Sequence, residues 1–491
     1  MSHSRGRGLE AGALSLTDTV VMAIAGVAPA YSLAATTAVL VAAAGTAGPA
    51  ALLYCAIPMA GIALAFSCLS RIDVNAGASY SWVGRTLHPF LGFVSGWALV
   101  VSATLFMVAG SLPAGSLTLA LFDEELAEST ALSTVVGAGW FLLMLGVVLG
   151  GARLTVRAQL LMSGVELAIL LLFAVPALWH AGQARPFDWS WLGTARFDGV
   201  SGFASAALVA AFYYWGWDVA CNLSEETRDS RRTTGPAGLI GLGVVFVLFE
   251  VYTIAVTTVL TPEEIADGGT NALAALGEAV WPGWGGRVLA VAVMLSTIAT
   301  LETTLIQVTR SLFAMGRDRT MPAALGRVHP RWNTPWVAIV VVGAVALVML
   351  VAANALGTVG DILSDAIQAI GLQIAVYYGL AGLAAVVAYR RVLLRSPLHL
   401  LLGGVGPLLG SAFMFWVFVE SLGELSEAAV AIGLGGLAAG VPPMLWYWRR
   451  GSEYYRPARL DATRSVPTEY DGSPKGPAAS PHPYEGLPTD F

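Results

Sequence analysis

The sequence predicts an all-α integral membrane protein with twelve transmembrane helices, and three observations predict it. First, of 491 residues 56% are hydrophobic and only 12% are charged, with a mean hydropathy of +0.71. Soluble domains carry roughly 25% charged residues, so half that value belongs to the membrane class. Second, the apolar residues gather into runs of about 20, the length that crosses a bilayer as a helix. Third, the arginines recur on every second connection between those runs.

Twelve runs lie near residues 17–44, 49–69, 88–112, 131–150, 158–180, 202–222, 235–260, 286–312, 336–355, 361–388, 400–420 and 427–447. They follow an N-terminal tail, 1–16, in which Arg5 and Arg7 precede a first run long enough to remain as a span. The sequence therefore carries no pattern of a cleavable leader. With that tail on the inside, inside segments also hold Arg71 and Arg85; Arg153 and Arg157; and Arg228, Arg231 and Arg232. Later inside segments hold Arg310, Arg317, Arg319, Arg327 and Arg331, then Arg390, Arg391 and Arg395, then everything from Arg449 through Lys475. Only Arg185, Arg196 and Arg287 fall outside, where the loops are instead acidic, as at Asp123-Glu124-Glu125 and Glu263-Glu264. This distribution obeys the positive-inside rule and would be scrambled by adding or removing one span. Both termini are expected in the cytoplasm.

The last segment, 451–491, is polar and rich in Pro, Gly and Ser, and is expected to be a disordered cytoplasmic tail. The three cysteines, Cys55, Cys68 and Cys221, lie in or beside apolar runs without metal-ligand spacing and read as small buried residues. Neither a phosphate-binding loop nor a dinucleotide fingerprint nor a Ser-His-Asp arrangement is present, and no basic face suits nucleic acid. No enzyme, cofactor or metal site is expected.

Two runs are broken. Ala25-Gly26-Val27-Ala28-Pro29-Ala30-Tyr31-Ser32 interrupts the first, and Tyr213-Tyr214-Trp215-Gly216-Trp217-Asp218 interrupts the sixth. Backbone groups freed at membrane depth must find partners in protein, water or ligand, so such breaks line cavities. Two of them at matching places in two halves of a chain point to the binding site of a secondary transporter. Each break brings half-helix dipoles to the midplane, amides suited to a carboxylate and carbonyls suited to an ammonium. The candidate binding residues are Gly26, Val27, Ala28, Pro29, Ala30, Tyr31, Tyr213, Tyr214, Trp215, Gly216, Trp217 and Asp218. The bland alternatives are a Pro-kinked helix and ordinary aromatic packing; among the aromatics, Tyr214 and Trp215 are favoured because they adjoin Gly216.

Three further motifs resemble those of the amino acid-polyamine-organocation permeases, whose members adopt the LeuT-type fold. They are Gly77-Ala78-Ser79-Tyr80-Ser81-Trp82-Val83-Gly84-Arg85 with Pro89-Phe90-Leu91-Gly92; Leu223-Ser224-Glu225-Glu226-Thr227-Arg228; and Thr309-Arg310-Ser311-Leu312-Phe313-Ala314-Met315-Gly316-Arg317-Asp318-Arg319. The resemblance covers about residues 15 to 450. It implies a 5+5 inverted repeat, 17–180 and 202–388, with broken helices 1 and 6, followed by two C-terminal helices in 400–447. It also implies alternating access around spans 1 and 6. One departure is plain: where the family has a cluster of glycines in span 1, only Gly26 remains, and Pro29 has no N–H to offer a carboxylate.

Acids inside spans are costly and mark function by default. Glu166 stands in span 5, where similar transporters commonly carry a Lys that helps couple proton movement. A carboxyl there is neutral when it faces hydrocarbon and ionised when an amine arrives, so Glu166 is the expected proton-coupling or amine-binding group. Glu302 in span 8 is expected to approach the same cavity, giving with Asp218 three acids around one site. Glu250 and Glu420, nearer span ends, read as structural. The hydroxyls Ser296, Thr297, Thr303 and Thr304 would suit sodium only weakly, so protons are favoured. The expected function is proton-coupled import of an amino acid or related organic amine; the alternative is a cationic amine or polyamine carrier, or an exchanger. A channel or receptor with merely structural kinks, and a six-plus-six carrier, fit the paired breaks less well.

Overall fold

The computed structural model describes residues 8–184, 187–261, 263–265, 272–353, 357–456, 459, 460 and 462. Arg5, Arg7, Arg185 and Lys475 lie outside them, with the rest of the tail. In chain order the helices are α1 (Leu16–Val27), α2 (Pro29–Ala44), α3 (Gly48–Ile72), α4 (Ser79–Thr86), α5 (Pro89–Ala120), α6 (Glu124–Ala127) and α7 (Thr130–Leu149). Then come α8 (Ala152–Ala184), α9 (Gly199–Tyr213), α10 (Val219–Asn222), α11 (Ser230–Val259), α12 (Ala272–Val280) and α13 (Gly285–Arg317). The last are α14 (Trp336–Ala353), α15 (Val359–Tyr389), α16 (Pro397–Leu400), α17 (Gly406–Ser421), α18 (Glu427–Ala438) and α19 (Val441–Arg449). Among the described residues there is no β-strand, which suits a chain whose backbone groups must be satisfied within each segment.

Ten stretches of the described residues are long and apolar enough to cross a membrane, and the chain is an integral membrane protein. The difference from the twelve runs expected arises at two places. Leu16–Ile72 counts as one stretch of 57 residues, because only the 3-10 turn Gly45–Ala47 separates α2 from α3. The sixth run is cut by its break, which leaves α9 with 15 residues, short of a full crossing.

Local chemistry sets the helix ends. Ser15 and Asp18 form a capping box at the start of α1, and Thr358 and Asp361 form another at α15, each satisfying amides that a helix start leaves free. Pro89 opens α5 at a position where no amide is needed.

The three motifs converge at the arginine-rich end of the bundle. Arg310 makes a forked ion pair with Glu226, at 2.9 and 3.0 Å, with both side chains buried. Arg317 makes another with Glu225, at 3.0 and 2.9 Å, and Glu225 also accepts from the Ala76 amide at 2.9 Å. Asn222 donates to the Ala76 carbonyl at 2.8 Å and to Ser311 at 3.0 Å. The chain ahead of α1 joins them, since the Leu14 amide donates to the Glu226 carbonyl at 3.0 Å and the Arg228 amide donates to the Leu14 carbonyl at 2.8 Å.

The segment from Gly451, expected to be without structure, begins by packing on the body. The Tyr454 ring stacks on Tyr80 with centroids 4.6 Å apart, and its hydroxyl donates to the Tyr80 carbonyl at 3.0 Å. The slot exists because Gly84 and Gly92 lack side chains: a Cβ on either would lie 2.2 or 2.3 Å from the Tyr454 Oη. Composition signalled polarity here, and the anchoring aromatic outweighs it.

A forked pair buried this deeply is costly to break from one side, because the survivor is left charged without a partner. Arg310→Ala is expected to destabilise the protein by about 3 to 5 kcal/mol, read as a lower melting temperature in detergent. The double variant Arg310→Met with Glu226→Leu is expected to recover most of that loss.

Candidate functional site

The first break is one residue wide. Ala28 adopts the left-handed conformation (φ 54°, ψ 66°), closing α1 and opening α2. Its own amide turns back to the Ala25 carbonyl at 3.2 Å, and Pro29 follows at a helix start where a missing N–H costs nothing. The next two amides of α2 are taken by side chains from other helices. The Ala30 amide donates to Glu166 Oε1 at 2.9 Å, and the Tyr31 amide donates to Ser296 Oγ at 3.2 Å. Ser296 in turn donates to the same Glu166 Oε1 at 2.7 Å. The carbonyls of the break are matched as well: Thr300 donates to Ala25 at 3.0 Å, and the Ser32 hydroxyl donates to Val27 at 2.8 Å. Glu166 is fully buried, and among the described residues its Oε2 has no hydrogen-bond partner.

The second break meets the first. Gly216 has φ +108°, a conformation that side chains rarely adopt, and a Cβ there would lie 2.1 Å from the Gly26 carbonyl oxygen. A Cβ on Gly26 would lie 2.3 Å from the Gly216 oxygen. Two glycines thus let the backbones of the two breaks touch.

The aromatics separate into two groups. Tyr31, Phe106, Phe212 and Trp215 form one cluster, with Phe106 edge-on to Tyr31 at 5.7 Å and to Trp215 at 5.8 Å between centroids. The Tyr31 hydroxyl donates to the Ala109 carbonyl at 2.9 Å, and Trp215 Nε1 donates to the Tyr377 hydroxyl at 2.6 Å. The others turn into packing. Tyr213 bonds Thr37 at 2.8 Å, Tyr214 donates to the Leu52 carbonyl at 3.1 Å, and Trp217 stacks on Tyr378 at 5.6 Å. Of the favoured pair, Trp215 joins the cluster around Tyr31, whereas Tyr214 reaches α3 instead.

The three acids have separate partners. Asp218 accepts from the Tyr377 and Tyr378 hydroxyls, both at 3.1 Å, so it braces the second break against α15. Glu302 accepts from Gln159 at 2.7 Å, and Gln159 is seven residues before Glu166, about 10 Å along α8. Glu166 alone meets the α1–α2 break. The span-8 hydroxyls divide similarly: Ser296 faces the break, while Thr297 and Thr303 donate to carbonyls of their own helix. Residues missed at the sequence level are Phe106, Ser296 as a partner of α2, Thr300, Tyr377 and Tyr378. The adjacent pair Tyr377-Tyr378 in the tenth run was the one available signal. Among the described residues there is no cluster of side chains able to hold a metal ion.

This arrangement places a buried carboxylate oxygen beside a helix start, a cluster of aromatics and two touching breaks, which suit recognition of a small polar solute rather than bond chemistry. A family model described as amino acid permease matches residues 14–438. The chain belongs to the amino acid permease family. The permease is therefore a transporter and not an enzyme. It is 28% identical over 381 residues to a Mycobacterium tuberculosis protein described as an uncharacterized transporter, covering 74% of this chain and 77% of the relative. It is 27% identical over 287 residues to the serine/threonine exchanger SteT of Bacillus subtilis, covering 57% and 63%. It is 27% identical over 328 residues to the low-affinity putrescine importer PlaP of Escherichia coli, covering 62% and 66%.

The glycine contact makes a direct prediction. Gly216→Ala forces a side chain into a left-handed backbone against the Gly26 carbonyl, which costs about 1 to 3 kcal/mol in conformation alone. Uptake by the reconstituted variant is expected to fall roughly 5- to 150-fold, whereas Gly139→Ala, with nothing within 4 Å of its Cβ, is expected to match wild type.

Proposed function

We propose that this permease is a secondary active transporter that imports an amino acid or related organic amine across the cytoplasmic membrane, coupled to protons, by alternating access. The proposed arrangement is twelve passes with both termini cytoplasmic, built as a five-plus-five inverted repeat with two further helices. The observation that carries the reading is Glu166: a buried acid with one oxygen on the α2 start and the other without a partner among the described residues. Such an oxygen can hold a proton in one stage of a cycle and an ammonium in another. Among the described residues no charged side chain is bonded to Glu166; Ser296 and the Ala30 amide donate to its other oxygen, Oε1. Protons are preferred to sodium because the acid itself supplies the exchangeable site.

In this reading the arginine-rich end is the cytoplasmic gate. The pairs Arg310–Glu226 and Arg317–Glu225, with the Leu14 backbone pairing, hold it shut, and release of substrate requires these elements to move apart. A cationic amine or polyamine carrier, or an exchanger, is the second reading. It is supported by the acids within the spans and by two relatives, one named a putrescine importer and one an exchanger.

Uptake into proteoliposomes under an inward proton gradient tests the coupling. Wild-type uptake is expected to rise as external pH falls, and Glu166→Gln is expected to remove that dependence. Full pH-dependent uptake by the Gln variant, or uptake that follows a sodium gradient instead, would sink the proton role of Glu166.

A further inference from the structure

A helix start buried in apolar surroundings attracts negative charge, through its free amides and through the dipole of the helix behind it. At the midplane of a carrier it is the natural seat for the anionic end of a solute. In this chain the seat at α2 is filled from within. Of the first three amide positions of α2, Pro29 has no N–H, Ala30 donates to Glu166, and Tyr31 donates to Ser296, which itself donates to Glu166. The Ser32 amide is bonded to the Ala28 carbonyl at 2.8 Å, so none of the four remains for another anion.

The second observation is the other oxygen of the same carboxylate. Glu166 is 0% exposed, and among the described residues Oε2 has no partner. A buried carboxylate oxygen left without a donor is costly, and a cationic donor matches it best. An ammonium group provides that donor. A second carboxylate does the reverse: it meets no free amide at α2 and meets the charge of Glu166.

From these two facts we infer that Glu166 stands in for the solute's carboxylate, so that the carrier selects amines that lack a carboxylate next to the amino group over the corresponding α-amino acids. The ligand class is a primary monoamine, amino alcohol or diamine, its ammonium on Glu166 Oε2. The inference rests on the carrier reading above and narrows its substrate. Glu166 is a specificity-determining residue in this scheme, with Ser296 positioning it. A substrate's carbon skeleton would lie toward Tyr31, whose amide is bonded to Ser296 and whose ring packs on Phe106.

The test uses full-length protein in proteoliposomes and matched labelled pairs that differ only by the carboxylate: ethanolamine and serine, putrescine and ornithine, phenethylamine and phenylalanine. In any pair that is moved, wild type is expected to take up the amine on the order of tenfold faster than the amino acid, the discrimination of about one charged contact. Glu166→Ala, which frees the Ala30 amide and removes the ammonium partner, is expected to shift the ratio toward the amino acid by a similar factor. If that variant fails to fold, Ser296→Ala loosens the same carboxylate and is expected to shift the ratio in the same direction. Equal or faster uptake of the amino acid by wild type in every pair that is moved overturns the inference while leaving the carrier reading intact. Absence of uptake and of binding for every compound removes the carrier reading itself, and the inference with it.

Discussion

The constraint on which the rest of this structure depends is the need to satisfy a broken helix backbone where no water reaches. Interrupting α1 and α2 at Ala28 frees carbonyls on one side and amides on the other, and each orphan buried in an apolar setting costs several kcal/mol. The chain meets that cost with side chains drawn from far along the sequence: Glu166 from α8, and Ser296 and Thr300 from α13. These bonds also locate the helices. Once α8 and α13 serve the break, their relation to α1 and α2 is fixed in depth and rotation, and the glycine contact at Gly26 and Gly216 fixes the second break against the first.

Charge is used in two distinct ways along the bundle. At the arginine-rich end every buried acid that joins the motifs has a full partner: Glu226 with Arg310, Glu225 with Arg317, and Asp73 with Arg85 at 2.8 Å. Such pairs specify geometry and hold surfaces together. In the middle of the bundle Glu166 and Glu302 each have one carboxyl oxygen bonded and one without a partner among the described residues. A stability argument does not account for leaving acids half-satisfied in a core, whereas a carrier that takes up and gives up cations needs such oxygens.

Much of this was legible in the sequence, and the boundary of legibility has a physical origin. Breaks at Gly26–Pro29 and at Gly216 are announced by residue types that weaken or end a helix, and membrane depth gives them meaning. The three loop motifs are legible because ion-pairing residues at fixed positions identify their elements; their meeting at one end follows once the connections alternate. What a linear pattern does not carry is the direction of a side chain at a tertiary contact. Tyr213, Tyr214 and Trp217 sit within a few residues of Trp215, yet the end of α9 and the turn of the chain through the break send them to Thr37, Leu52 and Tyr378. Glu302 and Glu166 both belong to the α8–α13 contact, yet they stand about two turns apart, a separation that only the pairing with Gln159 reveals. The packing of Tyr454 was hidden for another reason: two glycines more than 360 residues earlier in the chain make its slot.

The seam between α8 and α13 gives this arrangement its further logic. Gln159, Ser163 and Glu166 repeat at intervals of four and three, one face of α8, and all three are buried. Ser163 donates to Gln159 at 3.4 Å, and Gln159 donates to Glu302 and to the Ala299 carbonyl. A polar row therefore runs from the head of α2 towards the arginine-rich end inside a wall that is otherwise apolar. Polar side chains between membrane helices hydrogen-bond across the contact, as Gln159 does to Glu302, so a shift of α1 and α2 that withdraws the Ala30 amide changes what Glu166 bonds to next. The candidates on its own face are polar groups of the same row, one and two turns away. In the proposed cycle, movement of the broken helix and the protonation of Glu166 are then one event seen from two sides, because the amide that leaves and the proton that arrives serve the same carboxylate.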